Sequence, residues 1–224
     1  LLLALSIGAL SALGCGGKKP EPASQASVDS LVDEGKQAPA RTSPPGSPLV
    51  KEAEGLLAKG DAAGAKSKFE AALAIQPDDA RAQLGLGLSE EALGHADAAE
   101  RAYRRAAEID SALAEAHNNL GLLLRDKGDL EGAIAALERA LEADPRLASA
   151  QANLALSFEE AGKPEQAGAA YKKAVALAGD DALLHANYGL FLLNQGQIEA
   201  AQAELTRGLP HAKGDRAALL ALGN

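Results

Sequence analysis

Apolar and polar positions divide the chain into three stretches. Residues 1–14 are apolar or small, with Ser6 and Ser11 the only polar side chains. Wound as a helix they reach roughly 21 Å at about 1.5 Å per residue, short of a hydrocarbon core ~30 Å thick. The run therefore reads as the apolar region of a secretory signal. It also reads as incomplete, since neither a methionine nor a basic region precedes Leu1. Residues 15–45 open on the single cysteine, Cys15, and continue as a segment rich in Pro, Ser, Gly and Ala with mixed charges, the composition of a flexible tether. From about residue 46 the pattern becomes periodic.

The period is 34 residues. Gly60, Gly94, Gly128, Gly162 and Gly196 stand at this spacing without an insertion. Five residues after each comes an alanine: Ala65, Ala99, Ala133, Ala167 and Ala201. Four further on stands a bulky residue (Phe69, Tyr103, Leu137, Tyr171, Leu205), and three beyond that a small one (Ala72, Ala106, Ala140, Ala174, Gly208). A fixed period of this length marks a solenoid whose units bury their faces against their neighbours. Each glycine supplies a left-handed cap between two helices, and Asp129 is placed to cap the helix that follows Gly128. Pro145 ends a second helix; Ser111 and Gly179 replace proline at the equivalent positions. Pro210 arrives three residues early, so the last second helix should end or kink near Leu209.

Composition agrees with helices. The chain is 47% hydrophobic but only 3% aromatic, without Trp or Met, so its core must be assembled from small residues in close-packed elements. A formal net charge of −9 and a pI near 5.0 argue against nucleic acid as a partner, because phosphate contacts need clustered cations. One cysteine makes neither an internal disulfide nor a thiolate metal site. His117 and His185 occupy the same repeat position two units apart, on the order of 20 Å at ~10 Å helix spacing, and cannot share a metal. His95 and His211 show no ligand spacing either. Paired acids such as Glu90-Glu91 and Glu159-Glu160 read as a solvated helix face. No enzyme, cofactor, metal or small-molecule substrate is expected.

The unit Ala114–Leu147, with Leu120-Gly121, Leu124, Ala133, Leu137, Ala140 and Pro145, resembles the tetratricopeptide repeat. The resemblance implies an all-α fold, a right-handed α-solenoid of antiparallel helix pairs. Five units are expected at residues 46–79, 80–113, 114–147, 148–181 and 182–215, with residues 216–224 starting a sixth, truncated unit. In unit one, Glu52 stands where an apolar residue is expected.

In that family the first helices line a concave surface that takes protein or peptide segments. Here the ninth repeat position carries Glu54, Leu88, Leu122, Leu156 and Leu190, and the sixth carries Asn119, Asn153 and Asn187. The implied groove is apolar with flanking amides, suited to an apolar or amphipathic partner segment. The alternative is that these leucines pack against the neighbouring first helix and the asparagines brace local backbone. The cationic clamp that some relatives use for carboxylate tails is absent: position two offers Arg81, Glu115, Ser149 and Leu183, and position five Leu84, Asn118, Ala152 and Ala186.

The stretch Ala12-Leu13-Gly14-Cys15 after an apolar run resembles a bacterial lipobox, which implies cleavage before Cys15 and its lipidation. Two or more acyl chains anchor stably where one is marginal. Gly16 rather than Asp after the cysteine implies, in a cell with two membranes, sorting to the outer one. The reading is thus a lipid-anchored adaptor for assembly at the bacterial envelope, facing the periplasm; lipoproteins of this build include those that help pilus secretin rings assemble. The alternative is the regulatory arm of a larger protein with a catalytic domain beyond Asn224.

Overall fold

The computed structural model describes residues 47–212. The expected signal, Cys15, the tether, residue 46, the end of unit five and the start of a sixth unit lie outside these residues. Within them ten α-helices follow one another: α1 Pro48–Leu57, α2 Ala62–Ile75, α3 Ala80–Ala92, α4 Ala96–Ile109, α5 Ala114–Asp126, α6 Leu130–Ala143, α7 Ala148–Glu160, α8 Pro164–Leu177, α9 Ala182–Asn194 and α10 Ile198–Gly208. A short 3₁₀ turn, Leu209–His211, closes the series around Pro210, where the early proline forbids further α-helix. No strand occurs among the described residues. Each helix packs on its sequence neighbours, the arrangement of a helical repeat solenoid.

The turns repeat in atomic detail. All five turn glycines have φ between 68° and 83°, a region that L-residues with a Cβ enter only under strain. In each, the glycine N–H bonds back three residues and the following N–H bonds back five. At Gly128 these are Gly128 N to Arg125 O at 2.8 Å and Asp129 N to Leu124 O at 2.9 Å, closing the first helix in a Schellman motif. Asp129 then serves the next helix: its Oδ1 accepts the Gly132 N–H at 3.0 Å, as Asp61 does for Gly64 at 2.9 Å. One residue thus ends one helix and starts the other, which is why the turn tolerates no insertion.

Packing explains the columns. The five alanines following the turns have no solvent exposure, and Phe69, Tyr103, Leu137 and Tyr171 are buried beside them. A Cβ on Gly121 would fall 2.6 Å from Leu137 Cγ and 3.1 Å from the Ala133 carbonyl oxygen, so α5 and α6 touch backbone to side chain there. Glu52 resolves its unit-one anomaly by facing solvent and pairing with Lys68 at 2.9 Å.

The connections between units come in two forms. After α2 and α6 stand Pro77 and Pro145; after α4 and α8 stand Ser111 and Gly179, and there a histidine from the next first helix braces the loop. His117 Nε2 donates to the Ser111 carbonyl at 3.3 Å, and His185 Nε2 to the Gly179 carbonyl at 2.9 Å. The shared position of these histidines therefore reflects a shared structural task.

Gly121→Ala should cost about 1–3 kcal/mol, the range for overpacking a tight core. Adding Leu137→Ala should return part of that loss, while Gly128→Ala, which fails through φ strain of about 1–2 kcal/mol, should gain nothing from it. Urea-unfolding midpoints of the single and double variants measure the difference.

Candidate partner-binding groove

The first helices α1, α3, α5, α7 and α9 share one face of the solenoid. Direct bonds between successive first helices mark that face: Asn153 Nδ2 on α7 donates to Asn118 Oδ1 on α5 at 3.0 Å, and Arg125 Nε on α5 lies 3.7 Å from Glu160 Oε1 on α7. Asn118 Nδ2 continues the relay to Asn119 Oδ1 at 3.3 Å. The amides expected at position six thus split into three situations. Asn119 is only 3% exposed, and its Nδ2 finds no partner among the described residues. Asn153 is partly exposed and committed at one end. Asn187 is partly exposed and makes no hydrogen bond to a described residue.

The leucine column grades along the same direction. Leu88 is 3% exposed and belongs to the core, which corrects its assignment to the groove surface. Its neighbour Gly85 holds the sixth position of that unit without a side chain, and the Phe69 ring occupies the space a Cβ would take. With no side chain at Gly85 and α1 touching α3 directly, Leu88 is enclosed. Leu122 and Leu156 are half-buried, and Leu190 is 38% exposed. Leu183 and Leu193, on the same helix as Leu190, are similarly open, at 41% and 38%. The reachable groove set is therefore Leu122, Asn153, Leu156, Asn187 and Leu190, with Leu183 and Leu193 added.

The C-terminal ends of the first helices form an acidic rim that sequence reading took for a merely solvated face. Tyr103 Oη donates to Glu91 Oε2 at 2.6 Å, and Tyr171 Oη donates to Glu159 Oε2 at 2.8 Å, the same two repeat positions in units two and four. Burial holds the Glu91 carboxyl above its ordinary value, with the Tyr103 hydrogen bond opposing. Burial also raises both phenols, with their carboxylate partners adding to it. Ser89 and Ser157 match as well, each hydroxyl donating to the carbonyl four residues back. The signal that would have found these clasps is a second period of 68 residues: units two and four share Gln83/Gln151, Ser89/Ser157, Glu91/Glu159 and Tyr103/Tyr171, and units three and five instead share His117/His185 at the Gln position and Leu137/Leu205 at the Tyr position. In unit three Leu137 replaces the tyrosine, and Arg125 replaces the glutamate. That arginine is 84% buried, its Nη2 lies 3.3 Å from Asp126 Oδ1, and its Nη1 has no partner among the described residues.

The opposite face carries a cleft of about 680 Å³ between α6, α7 and α8, with Leu154 and Phe158 in its lining and Lys173 at its edge. Among the described residues no group of three or more His, Cys, Asp or Glu side chains is placed to hold a metal, and no helix is long and apolar enough to cross a membrane.

Tetratricopeptide repeat models match residues 50–114, 92–148, 118–182 and 158–223. Several solved structures share the fold. PilF of Pseudomonas aeruginosa is 21% identical with a TM-score of 0.71, over 88% of this chain and 82% of that one. PilW, described as a widely conserved type IV pilus biogenesis factor, is 22% identical with a TM-score of 0.68, over 79% and 85%. MamA is 24% identical with a TM-score of 0.65, over 72% and 94%. No curated protein matches the sequence.

The clasps predict a pH signature. Because the folded Glu91 carboxyl titrates above its ordinary 4.5, its protonated form favours the fold. That contribution is complete below the ordinary value and disappears as pH rises through the elevated one. Glu91→Gln, which keeps an acceptor for Tyr103, should therefore gain stability relative to the parent between acid and neutral pH. Tyr103→Phe should lose about 1–3 kcal/mol at neutral pH by leaving the buried carboxylate without its donor. Urea titrations at the two pH values read both effects.

Proposed function

The chain belongs to the tetratricopeptide repeat family, whose repeats are protein-interaction scaffolds, and from that premise we propose that it is an adaptor holding a polypeptide partner against α5, α7 and α9. The observation that carries this reading is the pairing of unspent amide groups with open leucines on successive first helices. Among the described residues Asn187 has no hydrogen-bond partner, Asn153 keeps part of its capacity, and Leu156 and Leu190 expose apolar surface. An extended segment needs this combination: amides satisfy its backbone at intervals, and apolar side chains take its alternate residues.

The finer form places this adaptor at a bacterial envelope. Cys15 would carry the lipid, residues 16–45 would hold the repeats off the membrane, and the partner would be a component of an outer-membrane assembly facing the periplasm. The lipobox-like setting of Cys15 supports the anchor. The shared fold with PilF, and with PilW as a pilus biogenesis factor, supports a pilus-type assembly.

Photo-crosslinking in cells tests the groove. A probe at Leu122 should give a discrete adduct, while one at Lys173, on the cleft of the opposite face, should give none. Adducts at Lys173 alone would move the binding surface to the convex side and end this reading. Cys15→Ser in the full-length chain should shift the protein from the membrane to the soluble fraction; unchanged membrane association would remove the lipid anchor.

A further inference from the structure

Charge and apolarity are distributed unevenly along the groove. At the C-terminal ends of α3, α5 and α7 stand Glu91, Asp126, Glu159 and Glu160, with Arg125 among them and the capping Lys127 committed to Asp97 and Glu100. Arg125 is 84% buried and already flanked by Asp126 and Glu160, whereas the side chains of those two acids are 61% and 50% exposed. Glu115, near the start of α5, adds a further carboxylate to the same helix. On α9 the equivalent rim positions are Leu193 and Asn194, and no Asp, Glu, Lys or Arg occurs in the helix. Instead α9 presents Leu183, Leu190 and Leu193, three of the seven large apolar residues exposed among the described ones. Acid thus gives way to leucine from one first helix to the next, a step of about 10 Å.

Resting on the groove reading above, we propose that the occupant is a partner segment that is basic at one end and apolar at the other. It sets lysine or arginine against the Asp126–Glu160 rim and lays aliphatic or aromatic side chains on α9. Two considerations favour this over an acidic or uniformly apolar segment. An acidic segment would meet like charge at four carboxylates, with Arg125 buried between two of them and Lys127, at the end of α5, already paired with Asp97 and Glu100. A uniformly apolar one would desolvate Asp126 and Glu160 with only Arg125 shared between the two carboxylates. A cation on the exposed side of these two carboxylates meets both considerations, adding a second positive charge to the one Arg125 supplies.

Selection from a library of random dodecapeptides against the full-length chain tests this. The expected outcome is enrichment of net-positive peptides whose Lys or Arg residues lie to one side of a Leu, Ile or Phe cluster. Their affinity should fall about five-fold in Asp126→Asn/Glu160→Gln, and that difference should disappear at high salt, as exposed ion pairs do. In Leu190→Ser it should fall about ten-fold at any salt. Enrichment of acidic or uncharged peptides, no enrichment above bare matrix, or equal affinity for the charge-neutralised variant would overturn the proposal. A photo-probe at Leu122 separates the two levels. Acidic peptides that crosslink there sink the charge inference and leave the groove intact. Basic peptides that bind without crosslinking there sink the groove reading as well.

Discussion

The close crossing of the two helices in each hairpin is the constraint on which the rest depends. At that crossing there is room for a hydrogen or a methyl group and no more: Gly121 meets Leu137 and the Ala133 carbonyl, and Gly189 meets Leu205 in the same way. Once the backbones approach this closely, one large side chain per unit suffices to fill the remaining space. That accounts for a core built with 3% aromatic residues and no tryptophan. It also fixes which residues remain for the groove. The faces used in the crossing are spent, so the first helices can offer a partner only positions turned away from it.

The same economy makes the buried polar groups consequential. Glu91 and Glu159 sit at the ends of their helices under the hydroxyl of a tyrosine whose ring fills the crossing. Each clasp ties the rim of the groove to the second helix of its own unit. Units one and five have no such clasp, because Leu57 and Leu193 stand where the glutamates do and Phe69 and Leu205 where the tyrosines do. Covariation inside one chain is thus visible as a two-unit period, with the ring and the acid changing together. The loop histidines follow it too: His117 and His185 appear where proline is missing from the preceding connection and return a donor to a loop carbonyl. A buried polar group without a partner costs stability, so the two substitutions must travel as a pair.

The fold was legible in the sequence because its spacing is set by backbone geometry that few residues satisfy. Positive φ selects glycine at the turns, and lack of space selects alanine or glycine at the crossings, so both leave columns that survive when everything else varies. The groove was less legible. A leucine at the ninth position says only that the site is apolar; whether it is covered depends on what the neighbouring unit supplies. Leu88 is covered and Leu190 is open, although their repeat positions are identical. The acidic rim was misjudged for a related reason. Two adjacent glutamates on a helix look alike in sequence, yet Glu90 is buried against Lys66 and His95 while Glu91 lies under Tyr103. Those partners sit on other helices or in the turn that follows, at separations that a single-helix pattern does not reveal.

A solenoid's stability is close to a sum of unit and nearest-neighbour terms, so each feature of the groove is held locally. The amide relay Asn153–Asn118–Asn119 crosses only from α7 to α5, and the Arg125–Glu160 contact crosses the same boundary a few residues further along. These two links fix the spacing of α5 and α7, and with it the separation of the leucines and carboxylates that a bound segment would meet. No comparable first-helix link joins α7 to α9 among the described residues; there the connection runs through the second helix, by Tyr171 stacked on Tyr188 at 5.4 Å and tilted against Phe191 at 5.3 Å. The polar half of the groove is therefore set by directional bonds and the apolar half by ring packing. Hydrogen bonds to a backbone demand fixed geometry, whereas apolar contact tolerates small shifts. The register of a bound segment would accordingly be decided over α5 and α7, with α9 adding affinity rather than alignment.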